Sequence, residues 1–508
     1  MCLLDLPVEL LAEALQHLDY SHLLLIRQVC RSLRDAIDHT ARLRYCLELA
    51  REGMQDGSRH DLGSADRLQK LKEYKQAWRA LDWSANRKVL HGGVFAISGD
   101  IVACSKRTEP THITFTRIES KLRGVEGHQW KIDAPRGLRD FVIEPVLDLV
   151  VVLIDGRDTT FQLHLIAMST GQPHPSATKP IIPVPLTLVA ADFKPMIYED
   201  RLGVLFTSHS LSYTYFTVWN WQTGEKYRRP FRARRVPSAT FLTRDLVAMP
   251  YTCYNIDDHT TSNAALLVAD ISDPHKPHRV CRLFLPPAAP DITLFADFIW
   301  DQPLSQNTER LRPGWFASAS QERVLGLSVS GFDVDFGTTP PTSTMFIISV
   351  PHVVERIQQR IATSGEKRAT FEWAEWGPDC SRIFSHNCPA LWLSFIHGTK
   401  YAILDDEAVP PTGYTVYDFS RSAVQDPQGE NPEANDFIIK GRDVFAERGA
   451  FAIPVETRLP YRSMWRPLEP EVVEWIGRLG GDTGSVMLIE DGVVFSPDAG
   501  GEYWAWTV

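Results

Sequence analysis

The segment TVWNWQTG, residues 217–224, is an apolar run that reaches Trp219, then Asn220, and turns at Gly224. The same order of apolar strand, small or polar residue and turn recurs in HLIAMSTG (164–171), LLVADISD (266–273) and YTVYDFSR (414–421). Ala167, Asn220 and Asp270 stand 53 and 50 residues apart, and Asp418 follows after 148, close to three such periods. Ser349 in TMFIISVP (344–351) supplies an intervening copy, its unequal spacing attributable to loops around 301–313 and 380–389. A β-rich period near 50 is expected when four-stranded blades repeat around an axis. The span 89–508 has room for six to eight blades, with seven the favoured number, so the expected fold is a large all-β propeller. A pair of β-sandwiches is the alternative.

The surrounding texture supports strands. HGGVFAIS, LDLVVVLID, EDRLGVLFTS, RVLGLSVS, VMLIEDGVVFS and EYWAWTV are short runs rich in Val, Ile, Phe and Tyr. Gly, Pro, Asn and Asp separate them. Many strands with almost no helix point to a sandwich, barrel or propeller. Residues 218–224 resemble the end of a WD-type blade. An open ring would leave a sheet edge exposed. The last run, 502–508, is therefore expected in the same sheet as the first strands around 94–104, or in the adjacent sheet.

The chain has 508 residues, 44% hydrophobic and 23% charged, with a formal charge of −10. That composition is ordinary for a soluble globular protein, and its sign argues against wrapping nucleic acid. Eight dispersed cysteines form no C-x-x-C pair, which points to free thiols in a reducing compartment. No basic segment leads into a long apolar stretch, so no signal peptide is expected. The most apolar stretch, 146–154, is too short to cross a bilayer. The expected location is cytoplasmic or nuclear, with no membrane partner.

The chain opens differently. In LLDLPVELLAEALQHLDYSHLLLIRQVCRSLRDAIDH (3–39), Leu10, Leu11, Ala14, Leu15 and Leu18 fall on one face of a helix. Pro7 suits its first turn. Leu23, Leu24, Leu25 and Ile26 cover every side of a second, and Val29, Cys30, Leu33, Ala36 and Ile37 share a face of a third. Three short helices cannot shield this much leucine alone, so the surplus meets the rest of the chain or another protein. Residues 51–88 then read as a helical connector. Leu68, Leu71, Trp78 and Leu81 mark an amphipathic helix from near Ser64, expected to pack on the next domain.

L-P-x-E-L at 6–10, the central leucines and V-C-R at 29–31 closely resemble the F-box family. Leu33 departs from it, standing where many members carry tryptophan. The resemblance covers about forty residues, assigned here to a domain at 1–50. It implies binding to the Skp-type adaptor of an SCF-type ubiquitin ligase, and through it to a cullin scaffold. Leu6, Pro7, Leu10, Leu11, Leu24, Val29 and Leu33 are the implied contributors. Some of them must instead hold the helices together. An F-box ahead of a degenerate propeller is similar to large F-box families of mushroom-forming fungi. Such a chain is expected to be a non-enzymatic substrate receptor presenting a protein for ubiquitination. An interaction scaffold that assembles no ligase, or a propeller enzyme with carboxylates in its channel mouth, are the other readings.

Local chemistry motifs are incomplete. Asp335-Phe336-Gly337 lacks the other kinase motifs, and with Asp333 it lacks the remaining ligands of a calcium loop. His91-Gly92-Gly93 lacks a nucleophile elbow. Cys380, His386 and Cys388 lack paired zinc spacing and read as surface residues of a long loop. No catalytic residue, metal or cofactor is therefore expected. KYRRPFRARR (226–235) concentrates basic residues in an acidic protein. Arg228, Arg229, Arg232, Arg234 and Arg235 are candidates to receive an acidic or phosphorylated segment of the cargo, the plain alternative being a solvated loop.

Overall fold

The structure is a computed structural model. It describes residues 6–508 apart from 19, 91–92, 107–109, 156–160, 185–189, 209–213, 228–230, 234–235, 255–261, 277, 291, 300–302, 304, 306–311, 320–321, 334–341, 365–368, 386–394, 406–410, 426–435, 447–449, 479–483 and 498–501.

Four short helices come first: α1 (Val8–Leu15), α2 (Tyr20–Val29), α3 (Arg31–His39) and α4 (Ala41–Arg51). Leu11, Leu15, Leu23, Leu33, Ala36, Ile37 and Leu43 form their shared core. Helix α4 is buried on two sides. Leu43 belongs to that core, whereas Tyr45 and Leu49 join a different one, together with Trp315, Phe316 and residues of the β domain. Helix α5 (Ser64–Ala80) starts where expected, and Leu68, Leu71, Trp78 and Leu81 all pack into this second core.

Seven antiparallel sheets follow, and the chain fills them in order. Blade 1 comprises Val94–Ser98, Ile101–Ser105, His112–Arg117 and His128–Asp133; blade 2 runs from Leu138–Glu144 to Ile181–Val184. Blade 5 begins at Ile292–Phe298 and ends at Ser381–Phe384, and blade 6 surrounds Gly413–Asp418. Blades 4 and 5 share parallel pairing at Ser262 with Thr293, and Ala369–Phe371, before the last strand of blade 5, pairs in parallel with Cys281–Leu283 of blade 4.

Blade 7 takes its first three strands, Gly484–Ile489, Gly492–Pro497 and Glu502–Thr507, from the end of the chain. Its fourth, Ala85–Leu90, comes from before blade 1, pairing Ala85 with Thr507 through to Leu90 with Glu502. The ring is thus closed by both ends of the β region. Phe95 of blade 1 meets Tyr503 edge-on, with ring centroids 5.7 Å apart, so the last strand lies in the sheet adjacent to the first. The β domain's pairing starts at Ala85, slightly before the boundary at 89 read from sequence.

The run LVVVLI (149–154) explains itself in this setting. Val150, Val152 and Ile154 pack against Ala103 and Phe115 of blade 1, while Leu149, Val151 and Leu153 pack against Val204 and Trp219 of blade 3. Alternate residues face opposite neighbours, and both neighbours are apolar sheets.

The repeat read from sequence marks one position in the blades. Phe161–Ala167, Thr214–Asn220, Ser262–Asp270, Thr342–Ser349 and Gly413–Asp418 are the third strands of blades 2 to 6. The interval from Asp270 to Asp418 therefore holds two blade steps, correcting the estimate of three. Insertions lengthen it: 299–323 inside blade 5, then α6 (Val350–Ser364) and α7 (Trp373–Cys380) before its fourth strand. The β domain also carries α8 (Arg421–Gln425) and α9 (Pro470–Arg478), more helix than the strand-rich texture suggested.

Candidate interaction surfaces

The helices at 8–51 sort the residues singled out above. Leu11 and Leu33 are buried in the helical core, so within this chain they support the fold and offer no surface. Leu6 and Leu24 are half-buried, and Pro7 is exposed. Leu10 and Val29 are 55% and 71% exposed. Val8 and Leu25, which the motif reading did not single out, are exposed too. Leu25 and Val29 lie one turn apart on the same face of α2. The four-residue apolar run at 23–26 was the available signal, because a helix turn apolar on every side must leave something outside. Arg27 is anchored to Asp38 by two hydrogen bonds of 2.7 and 2.9 Å, tying α2 to α3 beneath that face.

These helices are held to one face of the propeller, here termed the entry face. In every blade this face carries the turns between first and second strands and between third and fourth. The chain enters blade 7 there, since Ala85 lies opposite Thr507 and the amide of Val508 donates to Asp491 O at 3.0 Å. Tyr74 of α5 donates to Glu490 O at 3.1 Å on the same face.

The 299–323 insertion crosses this face and receives the connector. Met54–Asp56 pairs antiparallel with Phe316–Ser318. The amides of Gly57, Ser58 and Arg59 donate to Trp315, Arg312 and Gly314 oxygens at 3.0, 2.8 and 2.9 Å. Gly57 is required by this approach: a Cβ there would collide with the Gly314 carbonyl. Tyr45 of α4 reaches the same segment, donating to Trp315 O at 3.0 Å.

A buried ionic cluster fixes the insertion at the propeller axis. Arg123, in the loop after the third strand of blade 1, binds both Asp491 oxygens at 3.0 and 2.8 Å. It also donates to Phe316 O at 2.8 Å and Pro313 O at 2.9 Å. Glu490 accepts from the Ser318 amide at 2.8 Å and lies 3.2 Å from His397 Nε2. Burial opposes its charge, but Arg123, His397 and Arg312 outweigh that and hold its carboxyl well below the usual range. No sequence pattern announced this cluster, since Arg123, Arg312, His397 and the Glu490-Asp491 pair lie far apart along the chain.

Arg228, Arg229, Arg234 and Arg235 lie outside the described residues, as do Asp335, Gly337, His386 and Cys388. Arg232 lies in the strand Phe231–Ala233, opposite Tyr215. That strand's register places its far end away from the entry face. Cys380 is a correction: it closes α7 fully buried instead of sitting in a surface loop, and burial pushes its thiol up to about 12. Among the described residues no group of His, Cys, Asp and Glu could hold a metal ion, and no helix is long and apolar enough to cross a membrane.

Residues 3–45 match the family model for the F-box domain. This chain carries an F-box. Its four helices are α1 to α4, followed by a seven-bladed propeller, a combination that fits a protein-interaction or substrate-receptor role. F-box domains generally bind Skp-type adaptors. No curated protein matches the chain. Among solved structures it is similar to the WD40 domain of SCAP from fission yeast, at 8% identity and TM-score 0.36, covering 83% of this chain and 97% of that one. It is also similar to the polysaccharide lyase Uly1, at 10% identity and TM-score 0.33, covering 82% and 90%. Kluyveromyces lactis Hsv2 follows at 8% identity and TM-score 0.28, covering 66% and 93%.

Proposed function

We propose that this protein is the substrate-recognition subunit of an SCF-type ubiquitin ligase, working in the cytoplasm or nucleus without catalytic residues of its own. The observation that carries the proposal is the set of apolar side chains left exposed on α1 and α2 within the F-box: Val8, Leu10, Leu25 and Val29. Single exposed apolar residues are ordinary, but several on two short helices that already own a core suit a protein partner. The Skp-type adaptor would cover them, and a cullin scaffold would be reached through it.

The propeller would hold the protein to be ubiquitinated. The entry face is occupied by α4, α5 and the insertion, so cargo is assigned to the opposite face. The strand bearing Arg232 runs toward that face, in line with an acidic or phosphorylated cargo segment meeting the arginines of 228–235. The ligase would then act by proximity, raising the effective concentration of a cargo lysine.

The test is co-purification. Replacing Pro7 and Leu10 together by Glu places charge on an apolar contact and should abolish adaptor capture. Both residues are exposed, so the helices and propeller should keep their unfolding transition. Wild-type capture by the double variant defeats the assignment. Adaptor capture with no cullin recovered would favour a scaffold that builds no ligase.

A further inference from the structure

At the axis of the entry face, a cavity of about 380 Å³ lies between blade 1, the insertion and the loop following α4. Asp100, Arg117, Arg123, Arg312 and Glu490 supply its charged lining. Arg123 and Glu490 are fully engaged in the ionic cluster. Arg312 is not. It is only 6% exposed, its Nη1 lies 3.5 Å from Glu490, and its Nε and Nη2 have no hydrogen-bond partner. Arg117 Nε stands 3.3 Å from Asp100 Oδ2, yet neither atom makes an aligned hydrogen bond.

Folded proteins leave few buried polar atoms unpartnered, and each one calls for an explanation. Here the unmet capacity is lopsided: three guanidinium nitrogens with N–H groups to give, against one carboxylate oxygen. At roughly 30 Å³ per water the cavity has room for several waters, or for an oxyanion in their place. Its size is within the range of small-molecule sites. Burial, and to a lesser degree the nearby Glu490, push the Asp100 carboxyl up, against the pull of Arg117 and Arg123.

We propose that this cavity binds a small oxyanion, a carboxylate or phosphate group, gripped by the free nitrogens of Arg312 with Arg117 at its rim. Guanidinium forks match such groups through paired hydrogen bonds. The ligand would touch blade 1, the insertion and the loop at Ser58, whose amide already donates to Arg312 O at 2.8 Å. It would therefore brace the F-box connector against the propeller.

Thermal unfolding of the full chain, with calorimetric titration, tests this in a phosphate-free buffer. Inorganic phosphate or succinate should raise Tm by about 2 °C, while sodium chloride at equal ionic strength should not. A response to phosphate, to succinate or to both supports the site and identifies the preferred group. In Arg312→Gln the affinity should fall about tenfold or more. Arg117→Gln should do likewise, and because Arg117 is one-third exposed this variant keeps the test intact if Arg312→Gln misfolds. No shift in the wild-type protein, an equal shift with chloride, or a shift that survives Arg117→Gln would overturn the proposal.

Discussion

Leu10 and Leu11 are neighbours in sequence with opposite fates. A helix advances 100° per residue, which is enough to carry one into the core of the helices and leave the other 55% exposed. Leu33, standing where many F-box proteins carry tryptophan, is a core residue here. On the entry face, where the helices meet the propeller, the corresponding residue is Arg123. Its guanidinium is buried and every nitrogen is used, joining blade 1 to blade 7 and to the insertion. Asp491→Ala would leave that charge without its bidentate partner. The expected loss is about 3–5 kcal/mol of stability in denaturant unfolding, because an unpaired buried charge is far costlier than a lost contact. A loss below about 1 kcal/mol would show that Glu490, 3.6 Å from Arg123, suffices alone.

Among the elements, α4 decides how the F-box sits. An element buried on both sides is a strut, and α4 ties the F-box core to the core shared by α5, the insertion and blade 7. Helix α4, together with the connector that follows it, therefore fixes how the F-box is set against the propeller. The strand Phe231–Ala233 belongs to the same scale, because its direction carries the chain at Arg232 away from the entry face. Substituting Arg232, Arg234 and Arg235 by Gln should weaken cargo capture while leaving adaptor capture unchanged. Wild-type cargo capture should also fall with added salt, since exposed ionic contacts are screened over about 10 Å at 0.1 M. Unchanged cargo capture by the triple variant returns the run to a solvated loop, and loss of folding would make the arginines structural.

For the molecule as a whole, the important feature is closure. Blade 7 is assembled from residues separated by nearly the full length of the β region, so the ring is held by pairing between Ala85–Leu90 and Glu502–Thr507. Truncation after residue 501 would remove the third strand of that blade, strand the fourth, and open an edge to solvent. The truncated chain should be insoluble or should lose its cooperative transition in circular dichroism. Removing residues 1–40 should leave the propeller folded, because Tyr45 and everything it touches remain. A soluble, cooperatively melting 1–501 fragment would mean that closure does not govern stability.

The sequence by itself determined the F-box, through the L-P-x-E-L and V-C-R motifs that resemble that family, and the amphipathic α5 and the propeller. The last two are written in local periodicity: apolar residues every three or four positions in the helix, and a strand-and-turn signature recurring in blades 2 to 6. It also showed that Leu23–Ile26 must leave something uncovered. Tertiary structure alone decided which leucines are surface, since that depends on how α1, α2 and α3 meet. It decided the blade count between Asp270 and Asp418, where insertions stretched the spacing beyond what periodicity can read. It alone assembled Arg123, Arg312, Glu490 and Asp491 into one buried cluster. Arg123, Arg312 and the Glu490-Asp491 pair stand far apart and carry no mutual signal along the chain, and only closure of the ring brings them within hydrogen-bonding distance.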